Sequence, residues 1–190
     1  MEENYKLEKE YKVPVMVFSE AYRAFQKKFV YPKSYIYMAI FAVIAFVLFI
    51  FGILAMNDAS KRQKYITYLA FLMACAFAFR EWYNPRKKHR SLTDSVRSLG
   101  EPVYKIGIAG KYVDISTVSD DMSDLSEEDR IASEKDDPLP EKTRINIDEK
   151  YQLLEYDGFF LILSGKESIY ILPKDGFSEE ELNTVRNTQK

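Results

Sequence analysis

SYIYMAIFAVIAFVLFIFGILAMN, residues 34–57, holds 24 consecutive positions without a charged side chain. At about 1.5 Å per helical residue this run spans roughly 35 Å, enough for a bilayer core of about 30 Å with some tilt. It is apolar on every face, which a core helix of so short a chain rarely is. The run therefore predicts a transmembrane helix. It begins too far along the chain, and is too long, for a cleaved signal peptide.

Downstream, YITYLAFLMACAFAF, residues 65–79, is a second apolar block of 15 positions. Alone it is shorter than the roughly 17–25 residues a span needs. Lys64 and Arg80 can extend it, because their aliphatic stems lie in hydrocarbon while the charges reach the headgroups. The alternative is a re-entrant or interfacial segment. As a span it completes a two-helix transmembrane hairpin over residues 34–83, joined by a tight Asp58–Gln63 turn. Trp82 and Tyr83 after the second block, and Tyr35 and Tyr37 at the start of the first helix, are the expected interfacial anchors.

Basic residues set the orientation. Arg23, Lys27, Lys28 and Lys33 precede the first block, and Arg80, Arg86, Lys87, Lys88 and Arg90 follow the second. The connection holds Lys61, Arg62 and Lys64, so nine stand against three, and both termini are expected in the cytoplasm. The expected location is the cell membrane. Neither block carries an interior Asp, Glu, Lys, Arg or His, so no ion or proton relay is visible and transport is disfavoured. Gly52 has no GxxxG partner, and Cys75 reads as a small apolar filler. The hairpin is an anchor, with oligomerisation as its second use.

Before the hairpin, residues 1–33, Tyr11, Val13, Val15 and Val17 alternate with Lys12, Pro14 and Met16. This predicts an edge strand. Ser19 is placed to cap a helix through about Phe29 that ends at Pro32. Tyr22, Phe25 and Phe29 share one face, with Arg23, Lys27 and Lys28 elsewhere. Such a helix suits an anionic lipid surface, or packs on the cytoplasmic domain. Residues 84–100 form a basic linker. Its NPRKKHR segment, 84–90, reads as retention charge rather than a nucleic-acid contact, so no nucleic-acid partner is expected.

From residue 101 the period changes to two. Tyr104, Ile106 and Ile108 alternate with Lys105 and Gly107, and Val113 and Ile115 with Asp114 and Ser116. RINID (144–148), YQLLEY (151–156), FFLILS (159–164) and SIYIL (168–172) follow, with an Asp157-Gly158 turn as the clearest hairpin signal. About six strands over residues 102–172 suit a small meander or open barrel. Ser178 and Glu181 form a capping box for a short C-terminal helix, with Phe177 and Leu182 in the staple positions. Residues 120–142 are an insert with ten acids and three bases. It lacks the acid order and central Gly of an EF-hand and reads as a solvated loop that repels anionic lipid.

The order of elements, the Trp-Tyr-Asn-Pro junction at 82–85 and YQLLEYDGFFLILSGKESIYILPKDGF, residues 151–177, resemble the YcxB-like family of bacterial membrane proteins. Ile171, Leu172, Pro173, Lys174 and Phe177 match that family's strand end. The acidic insert and Asn146 depart from its pattern. The resemblance implies a C-terminal domain similar to bacterial pleckstrin-homology-like (PH-like) domains and a membrane location. It carries over no catalytic residue.

The fold expected is thus an α+β membrane protein: a two-helix transmembrane hairpin plus a cytoplasmic PH-like sheet or open barrel (residues 101–190) with a C-terminal helix. One Cys and one His exclude a disulfide framework and a Cys/His zinc site. No GxSxG, P-loop or HExxH motif occurs. The expected function is a non-enzymatic, membrane-anchored cytoplasmic binding or assembly module, with a protein partner or homo-oligomer and no metal or cofactor. The alternative is an inner-leaflet lipid-interacting or envelope-stress component, whose headgroup contacts would be Arg23, Lys27, Lys28, Arg86, Lys87, Lys88 and Arg90. An enzyme would have to use carboxylates among Asp148, Glu149, Glu155 and Asp157.

The formal charge of −2 and mean hydropathy of −0.29 conceal this division. Residues 1–100 carry 16 bases and 8 acids, net +8, and residues 101–190 carry 11 bases and 21 acids, net −10.

Overall fold

A computed structural model describes residues 5–54, 59–98, 103–119, 142–165 and 168–189. Most of the acidic insert (120–141) and Asp58 of the expected turn lie outside them. The chain divides into two compact units, one of residues 1–21 with 93–190 and one of residues 22–92.

The first unit is β-rich. Strand β1 is Leu7–Lys12, followed along the chain by β2 Val103–Ile108, β3 Tyr112–Ser119 and β4 Thr143–Asn146. These four form one antiparallel sheet in the order β1-β2-β3-β4. Strands β5 Tyr151–Glu155, β6 Phe159–Ser164 and β7 Ser168–Pro173 form a second sheet in that order. The six strands expected after residue 102 are all present.

The N-terminal strand is shifted from its expected place. It ends at Lys12, and Val15 and Val17 are already helical. Leu7 pairs with Ile108 and Lys12 with Val103, so this short segment belongs to the same sheet as β2. Val15 and Val17 alternate as a strand would, but the Pro14 carbonyl takes the Phe18 N–H at 2.9 Å and starts a helical turn. Ser19, expected as the cap, is interior to that helix.

The core collects Ile106, Ile108, Val113, Ile145, Leu161, Ile162 and Leu172, all essentially inaccessible. β6 is buried at five successive positions, Phe159 to Leu163, the pattern of a strand covered on both faces. One cover is the C-terminal helix, Glu179–Arg186, which buries Leu182 and Val185 and sets Arg186 over the Phe160 ring. Its capping box is present as the sequence predicts, with Ser178 accepting from the Glu181 N–H and the Glu181 side chain accepting from the Ser178 N–H. Tyr11 lies against its cross-strand neighbour Tyr104 and against Phe177, and Lys9 of β1 bonds Glu181 of the C-terminal helix at 2.6 Å. Burial, then neighbouring Tyr104 and Tyr170, raise the Tyr11 phenol pKa well above its ordinary value.

The Asp157-Gly158 connection is the expected two-residue hairpin, closed by the Tyr156 N–H on the Phe159 carbonyl. Neither central residue has positive φ; among the described residues only Gly165 and Gly176 do. Gly165, at φ 66° in the β6–β7 turn, occupies a conformation that glycine alone adopts at no steric cost.

The second unit is helical. Helix α1, Val15–Phe25, runs through a π turn at Gln26–Val30 into α2, Tyr31–Leu54, without a break. Pro32, expected to end the first helix, lies inside this continuous one. Its ring would strike the carbonyl four residues back, and the widened turn relieves that crowding. In that turn the Tyr31 N–H reaches the Gln26 carbonyl, five residues back. Helix α3 is Lys61–Ser98, about 57 Å at the standard rise. It begins at a second capping box, in which Ser60 Oγ accepts from the Gln63 N–H and Gln63 Oε1 from the Ser60 N–H. The segment expected as a basic linker continues this helix to Ser98.

Helix α2 lies in the one helical stretch among the described residues that is long and apolar enough to cross a membrane, and only 6% of its most apolar window is buried. A core helix of a soluble protein would be covered. The apolar block at 65–79 lies within α3, between Lys64 and Arg80, and does not reach that length on its own. Phe41 meets Phe77 and Phe49 meets Phe71.

Candidate functional site

Two helix-interior prolines organise one end of the helical unit. Pro85 has no N–H, so the Glu81 carbonyl one turn earlier lacks its intrahelical donor. Ser34 Oγ, 7% exposed, donates to that carbonyl. One turn further, Gln26 Nε2 donates to the Pro85 carbonyl at 2.8 Å, and the Gln26 side chain is almost fully buried. The π turn that accommodates Pro32 contains Gln26, so the irregularity of one helix supplies the donor for the other. Tyr22 lies 6.0 Å from the His89 ring. Residues 22–34 are thereby held beside residues 81–89.

These contacts gather the charges that the sequence lists separately. Arg23, Lys27, Lys28, Arg86, Lys87, Lys88 and Arg90 are all exposed, on the two adjacent segments. The Arg86 guanidinium sits 4.4 Å over the Trp82 ring and donates to the Trp82 carbonyl. Lys28 lies 5.6 Å from the Phe29 ring centroid. The aromatics expected as interfacial anchors lie next to the apolar surface: Tyr35 against Tyr31, and Trp82 and Tyr83 against Phe79. Tyr35, Tyr37, Trp82 and Tyr83 are all exposed. Beyond them Ile40, Val43, Phe46, Val47, Leu69 and Leu72 present an uncovered apolar surface, far more than a soluble monomer leaves to water. The arrangement is a basic and aromatic collar at the edge of an apolar surface, and its exposed cations are suited to attract anionic groups. Cys75 is exposed.

The carboxylates considered for catalysis are dispersed in role. Asp148 Oδ1 accepts the Lys150 N–H within a turn. Glu149 and Asp157 are exposed. Glu155 is bonded by Arg186 and by Lys174 at 2.8 Å, and the Arg186 bond, then the Lys174 bond, hold its carboxyl down at about 2. It stays ionised and ties β5 to the C-terminal helix. Among the described residues no three His, Cys, Asp or Glu side chains stand together as metal ligands.

Sequence reasoning missed the interior of the collar. Gln26 draws no notice by period or motif, and Ser34 and Pro85 stand out only as the first residue of the apolar run and as part of the Trp-Tyr-Asn-Pro junction, although a polar residue beside a helical proline is the kind that satisfies freed backbone groups. It also missed Asp114, read as the polar side of an alternating strand. Asp114 is 3% exposed. Arg144 binds it through Nε and Nη2, both at 2.9 Å, with Tyr5 Oη at 2.7 Å and Lys142 Nζ at 2.9 Å. Burial alone would raise this carboxyl, but the bonds from Arg144, Tyr5 and Lys142 outweigh it and bring it to about 2.

No protein-family model, curated protein or solved structure matches this chain.

Proposed function

We propose that this chain is a non-enzymatic, membrane-anchored module of the cell membrane. In this reading α2 and α3 cross the bilayer as a two-span hairpin with both termini cytoplasmic. The collar seats on the anionic inner leaflet, and the β-rich unit is tethered there to bind a protein partner or a second copy. The carrying observation is the junction at Gln26–Pro85 and Ser34–Glu81, which brings seven exposed basic residues together where the apolar surface ends. Each such residue near an anionic surface adds about 1 kcal/mol of attraction. The Phe41–Phe77 and Phe49–Phe71 contacts support two spans over one, because they set the second block against the first. The YcxB-like resemblance favours the same layout and a PH-like character for the strand-rich unit.

Cysteine labelling tests the topology. In a Cys75→Ala background, Ala59→Cys is expected to react with a membrane-impermeant maleimide added outside intact spheroplasts. Ser91→Cys and Gln189→Cys are expected to react only after permeabilisation. Labelling of residues 59 and 91 from the same side would reject the two-span arrangement.

A further inference from the structure

The basic residues of the collar do not all face one way. Tyr22 meets His89, Gln26 meets Pro85 and Ser34 meets Glu81, so positions rise along one segment as they fall along the other. Each helical residue is turned about 100° from the one before it. Arg23 and Lys27 follow Tyr22 and Gln26 by one residue, and Arg86 and Arg90 follow Pro85 and His89 by one. On two right-handed helices whose contacts run in opposite order, the residue after each contact position turns to the same side of the pair. Arg23, Lys27, Arg86 and Arg90 therefore line one side. Lys28 and Lys87, two residues after Gln26 and Pro85, point away from the partner helix.

Arg90 is one residue beyond His89 and so level with residue 21, which puts the four cations within about 9 Å along the pair. All four are exposed, and among the described residues no carboxylate pairs with any of them. Residues 21–33 and 82–93 contain no acid. Arg86 is already held in place, its guanidinium 4.4 Å from the Trp82 ring and bonded to the Trp82 carbonyl. Three of the four are arginines, whose planar forks take phosphate oxygens two at a time. Like charges this close repel one another unless an anion lies among them. A single phosphodiester brings one negative charge and leaves most of the cluster unbalanced. Two phosphates joined by one glycerol bring two, and once the first is seated the second binds as an intramolecular event.

We propose that this side of the helix pair is a site for a lipid headgroup with two linked phosphates, of the diphosphatidylglycerol kind. Lys27 and Arg86, on opposite helices next to the apolar surface, take one phosphate each. Arg23 and Arg90 reach the same two phosphates from the adjoining turn of their own helices, four residues away. The site rests on the membrane-anchored reading and goes beyond it, because attraction to an anionic leaflet in general counts charge and is indifferent to how two phosphates are joined.

The test uses the full chain in phosphatidylcholine vesicles with trace spin-labelled lipids, whose motionally restricted fraction gives each lipid's association constant relative to phosphatidylcholine. Where charge alone acts, binding free energies add, and the value for diphosphatidylglycerol is the square of that for phosphatidylglycerol. A value about threefold or more above that square is expected. Arg23→Gln combined with Arg90→Gln is expected to abolish the excess. Lys28→Gln combined with Lys87→Gln removes the same charge and is expected to leave the excess in place. Millimolar pyrophosphate, a soluble pair of linked phosphates, is expected not to release the labelled lipid at matched ionic strength. A value at or below the square, equal losses in the two double variants, or release by pyrophosphate would each overturn the proposal while leaving general attraction to anionic lipid intact. No preference for either anionic lipid over phosphatidylcholine would overturn the collar reading as well.

Discussion

Ser34 Oγ donates to the backbone carbonyl of Glu81, and it does so because Pro85 leaves that carbonyl without a donor in its own helix. A hydroxyl on one helix thus repairs a break in the ladder of another. The coupling is measurable. Ser34→Ala is expected to destabilise the helical unit by about 1 kcal/mol. Pro85→Ala returns an N–H to the Glu81 carbonyl, so in that background Ser34→Ala should cost little. Unfolding of the full chain by SDS titration from mixed micelles gives both values, and additive losses would refute the coupling.

Gln26 makes the companion contact. Gln26→Leu keeps the volume but removes the donor to the Pro85 carbonyl, and should cost about 1–3 kcal/mol. Gln26→Glu, an acceptor facing an acceptor, should cost more than Gln26→Leu in the same assay. The reverse ranking would mean that packing, not the hydrogen bond, sets the value.

Asp114 gives the β-rich unit an acid-sensitive element. Its carboxyl is brought from 3.8 to about 2 on folding, so its contribution is present above pH 4 and is lost as pH falls from about 4 towards 2. The shift corresponds to about 2 kcal/mol. Thermal unfolding of the full chain in nonionic detergent, followed by strand circular dichroism, should show that loss. Asp114→Asn should be less stable at pH 7 and lack this portion of the acid dependence. An unchanged acid profile in Asp114→Asn would assign the loss to other carboxylates.

Gly107 gives Tyr5 room. A Cβ there would lie 2.8 Å from a carbon of the Tyr5 ring, so Gly107→Ala must displace the ring and with it the Tyr5–Asp114 bond. A cost of about 1–3 kcal/mol is expected. In a Tyr5→Ala background the same change should be neutral or slightly stabilising, since alanine suits a strand better than glycine. Equal costs in both backgrounds would place the clash elsewhere.

Trp82, the one tryptophan of the chain, reports directly on the collar. In vesicles its fluorescence should be quenched more strongly by lipids brominated near the headgroup than by lipids brominated deep in the acyl chain. Stronger deep quenching would put it inside the bilayer and remove the collar reading.

The helix of residues 34–54 and the strands after residue 102 were legible because a 24-residue charge-free run and a period of two are local patterns. The Ser178–Glu181 box was legible for the same reason, being a contact between near neighbours. Three features were not. β1 ended at Lys12 instead of continuing through Val17, since alternation cannot distinguish a strand end from a helix start at Pro14. The collar needs residues about 60 apart in sequence to meet, as Gln26 and Pro85 do. Asp114 looks like a solvent-facing strand residue until Tyr5, Lys142 and Arg144 close over it.

By itself the sequence determined which segments are apolar, which alternate, and that the basic and acidic charges fall in different halves of the chain. Only the tertiary structure decided that Pro32 and Pro85 lie within continuous helices, and that residues 7–12 complete the sheet begun at residue 103. The reason is hydrogen-bond bookkeeping. Pro32 is accommodated by the widened turn at Gln26–Val30 and Pro85 by Ser34, which takes up the Glu81 carbonyl it frees, and where the partner is distant its position is set by packing rather than by local pattern.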